Sequence, residues 1–112
     1  MEKLDFKQWQ YVFRAGDGAG YLFLLIKGEI GIFLPTNETK EPNFPVGENE
    51  IFGEMGVIEG KLRMATARCM SPTKLMSISK EQFEKKIESS DPFIRGLIRI
   101  LSSRVRALQK NQ

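Results

Sequence analysis

The sequence predicts a mainly β fold with appended α structure: an antiparallel β-roll of the jelly-roll kind over about residues 4–79, followed by C-terminal helices. Two observations carry this. Up to residue 79, short apolar runs rich in aromatic and β-branched residues alternate with glycine turns at nearly regular spacing, the pattern of an all-β barrel or roll. After Ser79 the apolar residues recur every three or four positions, which is helical periodicity. At 112 residues the chain suffices for one core and is short for two, so a single domain over 1–112 is expected.

In chain order, Phe6 to Phe13 reads as a first strand with Phe6, Trp9, Tyr11 and Phe13 as anchors. Gly16-Asp17-Gly18-Ala19-Gly20 propagates neither helix nor strand and forms a turn. Tyr21 to Ile26 is apolar enough to be a buried strand, and Gly28-Glu29 turns the chain into Ile30 to Leu34. There Ile30, Ile32 and Leu34 share one face, while Gly31 and Phe33 share the other. Pro35 ends that strand, and the polar run Thr36 to Pro42 has the composition of an exposed, mobile loop. Extended structure resumes at Phe44-Pro45-Val46 and at Ile51-Phe52, then again at Ala65 to Met70 and Lys74 to Ile78.

Ser79 and Gln82 have capping-box spacing, which starts a helix over about 80–89 with Phe83 and Ile87 on its apolar face. Ser90 or Asp91 caps a second helix over about 92–109, with Pro92 in its first turn. Its residues Ile94, Leu97, Ile98, Leu101, Val105 and Leu108 form one apolar stripe. Two readings stand: the stripe packs on the roll, or its Ile94-Ile98-Leu101-Val105-Leu108 seam pairs with a second copy.

Composition excludes several functions. There is no histidine, which removes Ser-His and Cys-His nucleophile pairs and histidine metal sites, so catalysis is not expected and no cofactor or metal is assigned. Cys69, the single cysteine, precludes an internal disulfide and reads as a buried thiol closing a strand. No apolar run approaches the roughly eighteen residues of a membrane helix, and the first residues lack an apolar signal region, so a cytoplasmic location is expected. The net charge of +3 is too small to demand nucleic acid. Its excess lies at Arg95, Arg99, Arg104, Arg106 and Lys110, which reads as a solvated helix face before it reads as a nucleic-acid surface.

The stretch that carries chemistry is Phe52 to Thr66. Gly53 permits close backbone approach, and the amides after it can open a helical turn that attracts an anion. Glu54 can accept hydrogen bonds from a sugar hydroxyl, and Arg63 offers a fork for two phosphate oxygens. In isolation, Arg63 would be an ordinary surface arginine and Glu54 a helix-start carboxylate. An acid, a guanidinium fork and a glycine turn together suit a ribose phosphate. If Arg63 serves only such a ligand, replacing it should leave the fold intact.

Phe52-Gly53-Glu54-Met55, a short spacer, and Arg63-Met64-Ala65-Thr66 resemble the phosphate-binding cassette of cyclic nucleotide-binding domains. Upstream, Phe13-Arg14-Ala15-Gly16-Asp17, Leu22 to Leu25 and Gly28 are similar to that family's entry hairpin. The resemblance covers about Leu4 to Leu108. It implies a non-catalytic regulatory domain that binds a cyclic nucleotide, cyclic AMP or else cyclic GMP. Gly53, Glu54, Met55, Arg63, Met64 and Ala65 would hold the ligand, and the last helix would serve as lid and homodimer contact. Met64 stands where a hydroxyl goes with guanine preference or an extra phosphate contact in that family, which favours adenine or else weaker discrimination between the bases. Leu62 replaces a usual proline, and Gly56 a usual alanine, which would loosen the short helix. No output segment follows, so the chain is read as a fragment of a larger regulator or a stand-alone sensor, with its effector unidentified. The alternative is a degenerate relative whose pocket is empty of function and whose last helix docks a protein.

Overall fold

A computed structural model describes residues 1–110, including the side chains of all but Ser102, Val105, Arg106 and residues 108–110. Eight strands and three helices follow in order: β1 (Glu2–Phe6), β2 (Tyr11–Phe13), β3 (Tyr21–Lys27), β4 (Ile30–Phe33), β5 (Phe44–Val46), β6 (Ile51–Phe52), α1 (Glu54–Glu59), β7 (Thr66–Cys69), β8 (Thr73–Ser79), α2 (Lys80–Glu88) and α3 (Pro92–Lys110). The strands form two four-stranded antiparallel sheets, ordered β1-β8-β3-β6 and β2-β7-β4-β5. This is the predicted roll.

Strand alternation builds the core. Phe23, Leu25, Ile30, Phe52, Ala67, Cys69 and Leu75 form one buried cluster, with Leu4, Phe6, Val12, Phe13, Ile32 and Val46 packed around it. The opposite face of β3 and β8 supplies Leu22 and Ile78, which meet Val57 of α1 and, at the edge, Ala19 and Phe83. β3 is thus buried on both faces, which explains its unbroken apolar sequence. Cys69 is fully buried, as expected, and burial pushes its thiol pKa up against a weaker opposing hydrogen bond involving Thr73.

One strand of the expected set divides in two. Between β1 and β2 the chain turns at Lys7–Gln10, closed by Gln10 N–H donating to the Lys7 carbonyl (3.2 Å) and by the Gln10 side chain accepting from the Lys7 N–H (2.6 Å). The turn lets the chain change sheets: β1 pairs with β8, and β2 with β7. Trp9, expected as an anchor, instead sits at the turn with φ 74° and is half exposed, its N–H bonded to the Cys69 carbonyl at 2.7 Å.

The loop between β4 and β5 is largely exposed and bonded to itself, Asn37 Nδ2 donating to the Glu41 carbonyl and to Asn43 Oδ1, each at 2.8 Å. Both capping predictions hold. Ser79 and Gln82 make the reciprocal capping box of α2, and Asp91 Oδ1 accepts from the Phe93 N–H at 2.7 Å to open α3.

Helix α3 departs from the expectation that part of its stripe packs on the roll. Phe93 (75% exposed), Ile94, Leu97, Ile100 and Leu101 all face solvent, while Arg95 and Ile98 are half buried. The helix meets the rest of the chain near α1, a single six-residue helix too short to cover it. The stripe positions Val105 and Leu108 lie outside the residues whose side chains are described.

Candidate functional site

The site is organised around Arg63, which lies between α1 and β7 and is only 7% exposed. Reciprocal backbone bonds hold it: its N–H donates to the Asp17 carbonyl and its carbonyl accepts from the Gly16 N–H, both at 2.9 Å. The β2–β3 turn therefore fixes the arginine, and Thr66 Oγ1 accepts from the Ala15 N–H (3.0 Å) to fasten the same turn one step further on.

The guanidinium points into the roll. Nη1 donates to the Gly53 carbonyl at 2.5 Å and Nη2 to the Tyr21 carbonyl, while Cζ stands 4.0 Å from the centre of the Phe13 ring. Phe13, Phe23 and Phe52 form a contiguous aromatic floor, with centroids 5.4 to 6.3 Å apart. Such a cation over an aromatic face is favourable by about 0.5–2 kcal/mol. Nε is buried with no hydrogen-bond partner among the described residues.

Electrostatically the site lacks an anion. Burial lowers the Arg63 pKa, and Asp17 and Glu54 oppose this from a distance. Among the described residues, no carboxylate lies within 4.0 Å of the guanidinium, the ion pair found being Lys61 with Glu59. A buried cation with an unpartnered donor is costly unless something neutralises it.

The other predicted residues gather here. Gly53, at φ 77°, precedes α1 in a left-handed conformation that other residues adopt reluctantly. A Cβ on it would lie 2.9 Å from Arg63 Nη1 and 3.0 Å from Phe13 Cε2, so only glycine lets the arginine reach this carbonyl. Glu54 opens α1 and is half buried, and its carboxylate accepts no hydrogen bond among the described residues. Met55, Met64 and Ala65 are also half buried, and the N–H groups of Met64 and Ala65 carry no hydrogen bond there. The contributions of Phe13 beneath the guanidinium and of the Tyr21 carbonyl were missed from sequence. The spacing of Phe13 to Gly16-Asp17 was the available signal.

Gly56 corrects one expectation. It is buried, and a Cβ there would meet Ala19 Cβ at 2.6 Å and the Lys61 carbonyl oxygen at 2.9 Å. The glycine lets α1 close on the β2–β3 turn instead of loosening the helix. Gly56→Ala would gain up to about 1 kcal/mol of helix propensity, yet overpacking against backbone typically costs about 1–3 kcal/mol. We expect a net loss of stability, read as a lower urea midpoint with unchanged slope.

Comparison with known proteins settles the family. The model of the cyclic nucleotide-binding domain matches residues 3–90. The chain belongs to that family. This cyclic nucleotide-binding domain is 30% identical over 93 residues to the cAMP-activated global transcriptional regulator CRP of Pasteurella multocida, covering 81% of this chain and 44% of that protein. It thus spans less than half the length of that curated relative. The EAL enzyme Bd1971 in its cAMP- and cyclic-di-GMP-bound form is 28% identical, with a TM-score of 0.87 over 98% of this chain and 29% of that one. The catabolite activator protein of Thermus thermophilus shares the fold at a TM-score of 0.79 and 22% identity, over 98% of this chain and 52% of its own.

Among the described residues, no group of three or more His, Cys, Asp or Glu side chains is placed to hold a metal ion. No helix there is long and apolar enough to cross a membrane.

Proposed function

We propose that this domain binds cyclic AMP non-covalently, as a non-catalytic regulatory module. The observation that carries the reading is the buried Arg63 guanidinium with no carboxylate within 4.0 Å among the described residues. An arginine has about five N–H donors. Two are engaged by the Gly53 and Tyr21 carbonyls, and Nε is among those left for a cyclic phosphate. The backbone N–H groups of Gly53 to Met55 and of Met64 and Ala65 complete the phosphate cradle, and Glu54 accepts from the ribose hydroxyl. The relatives support this: one curated protein is cAMP-activated and a similar structure is cAMP-bound.

Regulation requires that the ligand favour one state over another. The exposed stripe of α3 is the element free to respond, closing over the base as a lid or pairing with a second copy. This same stripe is what favours the second reading, a protein-docking module whose pocket holds no nucleotide.

The ribose assignment is tested with 2′-deoxy cyclic AMP. A hydrogen bond to a charged acceptor contributes about 1.5–3 kcal/mol, so the deoxy ligand should bind roughly tenfold or more weakly. In Glu54→Gln that difference should shrink. If it persists undiminished, Glu54 does not hold the hydroxyl.

A further inference from the structure

A second pocket opens on the outer face of the β2-β7-β4-β5 sheet. It measures about 450 Å³ and shares with the cassette described above only Thr66, so none of Gly53, Glu54, Met55, Arg63, Met64 and Ala65 lines it. Along β7, Ala67 and Cys69 point into the core, so the alternate residues Thr66 and Arg68 face outward into this pocket. Arg14, Lys40 and Arg68 line it, an apolar wall is formed by residues 33–35, and no acidic residue contributes to the lining.

The two arginines are held in place. Arg14 Cζ stands 4.4 Å and Arg68 Cζ 4.9 Å from the centre of the same Tyr11 ring. Arg68 also lies 5.3 Å from the Trp9 ring, and its Nε donates to the Trp9 carbonyl at 2.8 Å. That carbonyl belongs to the residue with φ 74°, a conformation costly for tryptophan. Two guanidiniums sharing one ring repel each other. Among the described residues neither they nor Lys40 has a carboxylate within 4.0 Å; Asp17 is engaged by the backbone N–H of Arg14 instead. The β4–β5 loop closes one side, braced by the Asn37 bonds.

The geometry points to a binding site for a small organic phosphate monoester. Its dianionic group would be taken by Arg68, Arg14 and Lys40, and its apolar body would lie against residues 33–35. Guanidinium forks suit phosphate oxygens, and the apolar wall discriminates an organic ester from the bare ion. A pocket bounded by a loop, with three cations, fits a compact ligand better than a strand-like polyanion, which needs a continuous groove.

Phenyl phosphate is the probe. The chain's only tryptophan, Trp9, provides the readout through its indole N–H in a nuclear magnetic resonance titration. We expect a saturable shift, tighter for phenyl phosphate than for inorganic phosphate, and unchanged by saturating cyclic AMP. Arg68→Gln should weaken binding about tenfold, as loss of one charge-assisted contact does. Lys40→Gln, in an exposed loop and so without effect on folding, should weaken it in the same direction. Absence of saturation, affinity equal to the parent's in both variants, or displacement by cyclic AMP would overturn the proposal. Tighter binding of a single-stranded oligonucleotide than of phenyl phosphate would overturn it too, assigning the surface to nucleic acid.

Discussion

Arg63→Ala is expected to abolish cyclic nucleotide binding and also to lower stability. For binding, two charge-assisted contacts to phosphate, each contributing about 1.5–3 kcal/mol, correspond to a loss of roughly 10² to 10⁴ in affinity. For stability, the Gly53 and Tyr21 carbonyls lose their donor and Phe13 loses the cation on its ring. Against this, a buried charge with an unsatisfied Nε is removed, which is favourable. The opposing effects leave a net destabilisation of about 1–3 kcal/mol, visible in urea denaturation. The sequence alone led to the expectation that the arginine serves a ligand and that replacing it leaves the fold intact; its two carbonyl partners give it a structural share as well, so a folded but less stable variant is expected. Arg63→Lys separates the roles, because an ammonium keeps the charge but cannot span both carbonyls. A variant that binds cyclic AMP as tightly as the parent would remove Arg63 from the site.

Gly53→Ala is expected to damage the same site from the other side. At φ 77° an alanine costs about 1–2 kcal/mol, and its Cβ would stand 2.9 Å from Arg63 Nη1. The guanidinium must retreat from the Gly53 carbonyl, so affinity for cyclic AMP should fall by at least about tenfold, one charge-assisted bond being at stake. Gly60→Ala is the control. Its φ of 65° imposes similar strain, but the nearest atom to its Cβ is Lys80 Nζ at 3.9 Å. It should lose stability while binding is retained. Equal losses of binding in the two variants would mean that backbone strain, not displacement of Arg63, governs the site.

Much of the fold was legible because local chemistry and tertiary need coincide. The run Tyr21 to Ile26 is apolar on both faces because the roll lies on one side and α1 and α2 on the other. Ser79 and Gln82 specify their cap within four residues. What escaped reading depends on contacts remote in sequence. Trp9 adopts a positive φ and bonds to Cys69, sixty residues away, so an aromatic that looks like a strand anchor sits in a turn. Gly56 looked like a weak helix residue until Ala19 was seen against it. For the site, the residue types and their spacing located Gly53, Glu54 and Arg63, whereas the aromatic floor and the carbonyl partners of Arg63 emerge only from the pairing of β3 with β6 and the return of the β2–β3 turn.

The central claim is most directly tested by calorimetric titration of the chain with cyclic AMP and, separately, cyclic GMP, after unfolding and refolding to strip any carried-over nucleotide. The account predicts saturable binding at one site per chain, tighter for cyclic AMP, in the micromolar range that corresponds to about −8 kcal/mol. No heat and no thermal stabilisation with either nucleotide would contradict it and leave the exposed face of α3 as the surface through which this domain acts.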